Sequence, residues 1–166
     1  SKGVLLVHAA GNDGQDADRD VSFPTPEYAG GQRAANWLEV GASSWEPARL
    51  AARFSNYGKR RVDLFAPGVD ILSAKAGGGW VREDGTSMAA PVVSGVAALL
   101  MAHFPTLTAA DVKRILLATV TPQPGRTVPR PGGEGLVPFA DLSASGGIVN
   151  AFEAVRMAQR ETATRP

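Results

Sequence analysis

The side chain with the clearest potential for covalent chemistry is the hydroxyl of Ser87, in the segment 85–91 (GTSMAAP). The run that follows, 92–104, mixes small and large apolar residues without a polar stripe, which predicts a helix buried on all sides. The first turn of such a helix presents unpaired N–H groups and the positive end of the helix dipole. Ser87 is therefore a candidate nucleophile. Alternatively, Thr86 or Ser87 only caps the helix, and Pro91 lies near enough to its start to be tolerated.

A second candidate is Asn12, in the segment 9–14 (AAGNDG). The preceding run 4–10 (VLLVHAA) is continuously apolar, which predicts a strand buried on both faces that ends in a tight loop. Loops at the carboxyl ends of parallel strands line the ligand crevice of an open sheet, so Asn12 is expected there. The alternative is that Asn12 and Asp13 are turn residues, because both accept left-handed backbone angles.

Both segments resemble the subtilisin-like serine proteases. The string GTSMAAP, followed by V-x-G-x-x-A-L at 93–99, resembles the segment that carries the active serine of that family. AAGNDG resembles the family's loop whose asparagine amide forms half of the oxyanion hole, and three further segments also match, at 54–58 (FSNYG), 63–68 (DLFAPG) and 147–151 (GIVNA). The resemblance covers nearly all of the chain but only the second half of the family's catalytic domain.

The resemblance implies a serine endopeptidase that works through an acyl-enzyme, with Ser87 as the nucleophile. It also implies that the Asn12 amide and the backbone N–H of Ser87 are the oxyanion donors. The pocket for the residue before the scissile bond is expected to have small side chains along one wall, open to large apolar groups, and an acid at its rim that favours cations. These substrate-binding residues are Ala9, Ala10 and Gly11 for the wall and Asp13 for the rim.

The base and the acid of a catalytic triad are missing from this sequence. In the family they precede the oxyanion asparagine, in the strings Asp-Ser/Thr-Gly and His-Gly-Thr-His, and neither string occurs here. His8 is expected inside a strand, and His103 is expected to end a helix. We therefore predict the C-terminal part of a subtilisin-like catalytic domain, inactive alone, whose partners are its N-terminal part and a peptide or protein substrate.

Two other functions are compatible with parts of the sequence. One is a non-catalytic domain derived from a protease fold, which binds peptides or acts as a scaffold. Retention of both Ser87 and Asn12 argues against it. The other is an esterase of the α/β-hydrolase class, but the segment 85–89 has Ala89 where the Gly-x-Ser-x-Gly elbow requires glycine.

Composition narrows the function classes further. The 166 residues carry a net charge of +1 and no cysteine, so nothing indicates nucleic acid as a partner, and disulfides and thiolate metal sites are excluded. The apolar run 88–104 is short for a membrane span and is interrupted by Pro91 and Gly95, which favours a soluble core. No signal peptide is recognisable, and the abrupt start before a strand suggests an upstream portion. The resemblance implies secretion or a cell-envelope location.

The proposed chemistry requires no cofactor and no catalytic metal. Calcium sites are common in the family, and a cluster of acids at Asp16, Asp18 and Asp20 has the oxygen ligands that calcium prefers. Their spacing does not match an EF-hand, so a solvated loop is expected and a structural calcium is left unplaced.

The remaining patterns predict an α/β fold, a mostly parallel sheet with helices on both faces, in one domain at 1–160 with a tail at 161–166. They comprise a strand at 34–43, a hairpin of 69–75 with 80–83, and helices at 108–119 and 151–159, the latter capped by Asn150. Prolines and glycines throughout 121–146 predict an irregular excursion there.

Overall fold

The structure, a computed structural model, describes residues 3–21 and 23–163. Nine strands occur in these residues, namely β1 (Leu6–Ala9), β2 (Trp37–Ser43), β3 (Leu64–Pro67), β4 (Ile71–Ala74), β5 (Trp80–Glu83), β6 (Thr121–Pro122), β7 (Thr127–Pro129), β8 (Leu136–Pro138) and β9 (Gly147–Ile148). The three α-helices are α1 (Thr86–His103), α2 (Ala109–Ala118) and α3 (Ala151–Ala163). The main sheet has the order β1-β2-β3-β9-β6, parallel except for β6, which confirms the predicted α/β class.

The two faces of this sheet are covered differently. Leu38, Val40 and Leu64 point to one face, where they join residues of all three α-helices in a single buried cluster. Phe65 points to the opposite face, because side chains alternate along a strand. There it packs in a second cluster with Phe139, and the centroids of the two rings are 5.1 Å apart. In the described residues the α-helices thus cover one face of the sheet instead of the two predicted, and the second face is covered by parts of 10–17, 50–62 and 121–146.

Helix α1 is half exposed, so the prediction that it is buried on all sides is wrong. One face, with Ala89, Val93, Ala97 and Leu100, packs against β1, β2 and β3. The opposite face is exposed along a stripe of small residues at Ser87, Pro91, Ser94, Gly95 and Ala98. A polarity pattern could not reveal this stripe, because its residues are only weakly polar.

Helix α1 also has the length and composition of a membrane-crossing helix, with 39% of its apolar window buried inside the structure. Because its buried face packs on three strands of the sheet, we describe it as a core helix.

Strand β1, like α1, is more exposed than its sequence predicts. Within residues 3–21 and 23–163 it forms one edge of the sheet and pairs only with β2. Instead of being buried on both faces, it is half-buried, and Leu6 is 45% exposed. A continuous apolar run cannot distinguish an inner strand from an edge strand, because both contain the same residue types.

The region 121–146 is more regular than predicted. Strands β7 and β8 pair as an antiparallel hairpin, and a 3₁₀ helix (Phe139–Asp141) follows. Val128, Phe139 and Leu142 from this region are almost fully buried. A proline- and glycine-rich segment is therefore held in place by its contacts with the second core cluster.

The helical predictions near the C-terminus are confirmed. Thr108 caps α2 in a capping box with Asp111. Asn150 caps α3, since its Oδ1 accepts the N–H of Glu153 at 3.0 Å. Helix α3 continues to Ala163, so 161–163 are helical instead of part of a tail, and 164–166 lie outside the described residues. The hairpin of β4 with β5 around the three glycines is also confirmed.

A buried ionic group fixes the start of β3. Asp63 accepts hydrogen bonds from Arg33 Nη2 and from the backbone N–H of Glu39, both at 2.7 Å, and Lys113 Nζ lies 3.8 Å away. Burial raises the pKa of the Asp63 carboxyl, although both cations oppose the shift. Burial likewise lowers the pKa of Lys113. The aspartate of the DLFAPG segment therefore has a structural role.

Candidate active site

The two segments singled out in the sequence meet at the start of α1. Asn12 Oδ1 accepts hydrogen bonds from the backbone N–H and from Oγ1 of Thr86, both at 2.9 Å. In return, Thr86 Oγ1 accepts the N–H of Gly11 at 3.2 Å. Thr86 is fully buried, so its side of this small network is shielded from water. The loop that carries Asn12 is thereby fixed to the residue before Ser87.

The helix cap differs from the prediction, because neither Thr86 nor Ser87 provides it. The N-cap residue is Gly85, which has no side chain and so forms no side-chain capping bond. Asn12 supplies the acceptor that a capping side chain would normally provide to a first-turn N–H. A residue distant in sequence thus caps α1. Capping signals are sought in the residues next to a helix, so the sequence did not reveal this contact.

The two expected oxyanion donors lie close to one point. A Cβ atom built on Gly85 would be 3.6 Å from the backbone nitrogen of Ser87 and 3.7 Å from Asn12 Nδ2. Because Asn12 Oδ1 is used by Thr86, the Nδ2 group remains to donate elsewhere. Ser87 is exposed and Asn12 is exposed, so both groups are accessible to a substrate.

Gly85 is held in position by close packing against the end of β3. Its N–H donates to the carbonyl oxygen of Gly68 at 2.8 Å. A Cβ atom at Gly68 would lie only 2.7 Å from the carbonyl oxygen of Gly85 and 2.7 Å from Cβ of Ala42. Only glycine permits this approach, so the last residue of the DLFAPG segment determines where α1 begins.

Asn56 supports the loop from beneath, a role that the sequence did not indicate. Its Oδ1 accepts the backbone N–H groups of Asp13 and Gln15 at 3.1 and 2.9 Å, and its Nδ2 donates to the carbonyl of Ala10 at 2.9 Å. The side chain is buried, and a Cβ atom on Gly11 would come within 2.4 Å of its Nδ2. The resemblance of 54–58 to the family indicated that this segment matters, but it did not indicate what Asn56 does.

We expect Asn56→Ala to destabilise the protein by about 1–3 kcal/mol, because it leaves two N–H groups and one carbonyl without a partner. The matched control is Asn36→Ala, since Asn36 donates one exposed hydrogen bond to the carbonyl of Val4. Urea unfolding of both variants is the measurement. An equal, small loss of stability in the two would contradict the assigned role of Asn56.

Neither histidine is positioned to act on Ser87. His8 lies in β1, where its Nδ1 is 2.8 Å from Glu39 Oε1 and its ring packs against Trp37. His103 is the last residue of α1, as predicted, which places it roughly 24 Å from Ser87 along the helix axis. Among the described residues, no side chain forms a hydrogen bond with the Ser87 hydroxyl.

The expected substrate-binding residues lie at the end of β1 and directly after it. Ala9 ends the strand and is half-buried, as is Gly11, whereas Ala10 is buried in the second core cluster. At Ala10 the backbone, and not the side chain, is therefore what a substrate would meet. Asp13 is exposed beyond them.

The acidic cluster after this loop is engaged in protein contacts. Both carboxylate oxygens of Asp18 accept backbone N–H groups from Arg60 and Arg61, at distances of 2.9–3.1 Å. Asp16 Oδ1 accepts the N–H of Asp18 at 3.0 Å, and its Oδ2 pairs with Arg19. The oxygens of Asp16 and Asp18 therefore already have protein donors as partners. In the described part of the chain, no group of three or more His, Cys, Asp or Glu side chains is arranged to hold a metal.

The chain belongs to the subtilase family, because a profile of that family matches residues 1–135. It is 45% identical over 101 residues to subtilisin-like protease 1 of the fungus Trichophyton verrucosum, a match that covers 61% of this chain and 22% of the relative. The protein of the same name from Arthroderma benhamiae gives the same values.

Solved structures of proteases show the same fold. The self-cleaved protease domain of PatA superposes with a TM-score of 0.69 at 33% identity, over 95% of this chain and 51% of that one. The prenylagaramide maturation protease PagA gives a TM-score of 0.68 at 33% identity, over 93% of this chain and 50% of that one. The chain thus spans about half of the solved protease structures. The predicted subtilisin-like fold is confirmed.

Proposed function

We propose that this chain supplies the nucleophile and the oxyanion hole of a subtilisin-type serine endopeptidase. The observation that carries the proposal is the bond of Asn12 Oδ1 to Thr86, which brings Asn12 Nδ2 and the Ser87 N–H to one place. The positive end of the α1 dipole at Ser87 adds to the stabilisation of negative charge there.

In the proposed reaction, Ser87 Oγ attacks the carbonyl carbon of the scissile bond while a base accepts its proton. Negative charge develops on the carbonyl oxygen, and Asn12 Nδ2 and the Ser87 N–H donate to it. When the intermediate collapses, the C–N bond breaks and the protonated base returns its proton to the leaving amine. Water then attacks the acyl-enzyme by the same route, which releases the acid product and restores the Ser87 hydroxyl.

The base and its orienting acid come, in this proposal, from the N-terminal part of the same catalytic domain. Three observations support a partner of this kind. The chain spans about half of the solved proteases that it resembles, with 51% coverage for PatA. The stripe of small residues on α1 that begins at Ser87 is exposed. One edge of β1, the strand that leads to Asn12, has no partner strand in the described residues.

The test of this proposal is complementation. The chain alone is expected to show no peptide hydrolysis above background, and hydrolysis is expected after addition of a separately made upstream segment with the Asp-Ser/Thr-Gly and His-Gly-Thr-His strings. If the pair binds peptides but never hydrolyses them, the alternative of a non-catalytic peptide-binding domain is favoured. Secretion or a cell-envelope location remains a prediction of the resemblance.

The open edge of β1 leads to a further expected result. Alone, the chain should self-associate, because an unpaired strand edge and a bare helix face favour contacts between copies. Sedimentation velocity should therefore detect dimers or larger species, and a one-to-one complex once the upstream segment is present. Leu6→Lys adds a charge to the exposed part of β1 and should reduce self-association. A chain that is monomeric at all concentrations would contradict this expectation.

Substrate preference follows from the residues after β1. The wall at 9–11 carries no large side chain, since Ala10 points into the core, and so leaves space for a large apolar residue before the scissile bond. Exposed Asp13 adds attraction for a cationic residue. Asp13→Asn should therefore lower kcat/KM for lysine or arginine at that position while leaving leucine and phenylalanine unchanged. A peptide library with the complementary part present is the measurement. A strict requirement for acidic residues at that position would contradict this account.

A further inference from the structure

A cavity of about 280 Å³ lies between the segment that follows β2 and the β7–β8 hairpin. We call it the arginine cavity, and its lining residues are Arg49, Ala51, Arg53, Pro129, Arg130 and Gly133. Three of these six residues are arginines, and none is acidic or aromatic. The proposed hydrolytic reaction uses none of them.

The walls of the arginine cavity are held together by hydrogen bonds. The N–H of Gly132 donates to the carbonyl of Arg53 at 2.8 Å, and Arg126 Nη1 donates to the carbonyl of Pro47 at 3.1 Å. Val128, in the hairpin, is fully buried in the second core cluster. The cavity is thus formed before any ligand arrives, which reduces the conformational entropy lost on binding.

The same hairpin touches the loop that carries Asn12. A Cβ atom at Gly14 would lie 2.5 Å from the Cα of Gly132, and the N–H of Gly14 donates to the carbonyl of Phe54 at 2.8 Å. The arginine cavity is therefore a neighbour of the candidate active site, separated from it by the Gly14–Gly132 contact.

The charges in the cavity are not balanced by protein carboxylates. Arg49, Arg53 and Arg130 are exposed, and no ion pair within residues 3–21 and 23–163 includes any of them. The nearest acids in sequence, Glu46 and Glu134, do not line the cavity. Guanidinium groups do not deprotonate in proteins, so three like charges around a small concave surface create a positive potential that attracts anions.

We propose that the arginine cavity binds an acidic peptide segment through the carboxylates of its glutamate or aspartate residues. Guanidinium groups bind carboxylates in a bidentate geometry, and this volume accommodates one or two such side chains. Arg49 and Arg53 come from one segment and Arg130 from the other, and all three are exposed, so carboxylates spaced along an extended peptide match them better than one enclosed phosphate does. Nucleic acid is a poorer match, because no aromatic side chain in the lining offers a base a stacking surface.

Binding at this site requires neither Ser87 nor Asn12, so it can be measured in a Ser87→Ala background that leaves any peptide intact. The probe is a fluorescein-labelled peptide with four consecutive glutamates, compared with the same peptide carrying glutamines, and the readout is fluorescence anisotropy. The test variant is Arg49→Gln with Arg53→Gln and Arg130→Gln. The charge-matched control is Arg19→Gln with Lys75→Gln and Arg156→Gln, which are exposed and outside the cavity.

The glutamate peptide should bind the parent and the control with similar affinity and the test variant about tenfold more weakly, because three exposed ion pairs are lost together. The glutamine peptide should not bind. Equal weakening in the control variant would overturn the proposal, since net charge alone would then explain binding. Tight binding of inorganic phosphate without binding of the peptide, or stronger binding of a single-stranded oligonucleotide, would also overturn it.

Discussion

Ser87→Ala is expected to lower the turnover of the complemented protein by about a millionfold, the loss that removal of the catalytic serine causes in subtilisin itself. The groups beside Ser87 in the described residues do not replace it, because the sequence has no cysteine and the hydroxyl of Thr86 is buried and hydrogen-bonded to Asn12. Initial rates with a chromogenic peptide are the measurement. Affinity for a non-cleavable peptide should change little, because the hydroxyl acts mainly in the chemical step.

Ser94→Ala is the control for this substitution. Ser94 lies on the same exposed face of α1, two turns along, and its Oγ donates only to the carbonyl of Ala90 at 3.1 Å. Its removal should leave turnover unchanged. Activity in the Ser87→Ala variant within tenfold of the parent would mean that Ser87 is only a residue of the first helical turn.

Asn12→Ala should lower kcat by about 10²–10³, the loss measured for the oxyanion-hole asparagine of subtilisin, with little change in KM. The reason is that Nδ2 would donate to an oxygen whose charge develops only in the transition state. The same substitution also removes the acceptor for the Thr86 N–H and Oγ1, so about 1 kcal/mol of stability should be lost with it.

Asn12→Asp separates these two effects. An aspartate retains an oxygen that accepts from Thr86 but lacks the Nδ2–H donor, so it should keep the stability and still lose the turnover. Thermal unfolding and kcat measured on both variants give the comparison. If the aspartate variant kept full turnover, Asn12 would act only as the cap of α1.

The sequence alone predicted that Ser87 and Asn12 lie close together. Both belong to motifs that resemble one family, and these motifs lie at the predicted start of α1 and at the predicted end of β1. The contacts that fix them were not predictable. Asn56 bonds backbone groups of residues far from it in sequence, and Gly68 matters through its distance from the Gly85 carbonyl. The residue types alone do not indicate which distant backbone atoms a side chain such as that of Asn56 will contact in the folded chain.

Burial was the other property that the sequence could not provide. An apolar run predicted α1 and β1 correctly as elements but not their exposure, which depends on what packs against them. The β7–β8 hairpin, in contrast, was not predicted as an element at all. Its strands are short and contain prolines, and the hairpin is stabilised by contacts of Val128 and neighbouring residues with the core cluster around Phe65.

We propose that Ser87 is a nucleophile whose base is supplied from outside the chain. The most direct measurement is labelling by a fluorophosphonate probe, with the modified residue located by mass spectrometry. A serine hydroxyl is almost fully protonated at neutral pH, and a helix dipole worth about 0.3–1 kcal/mol cannot replace a base. We predict no labelling of the chain alone and rapid labelling at Ser87 after the upstream segment is added. Rapid labelling of Ser87 in the isolated chain, or none in the complex, would contradict the claim.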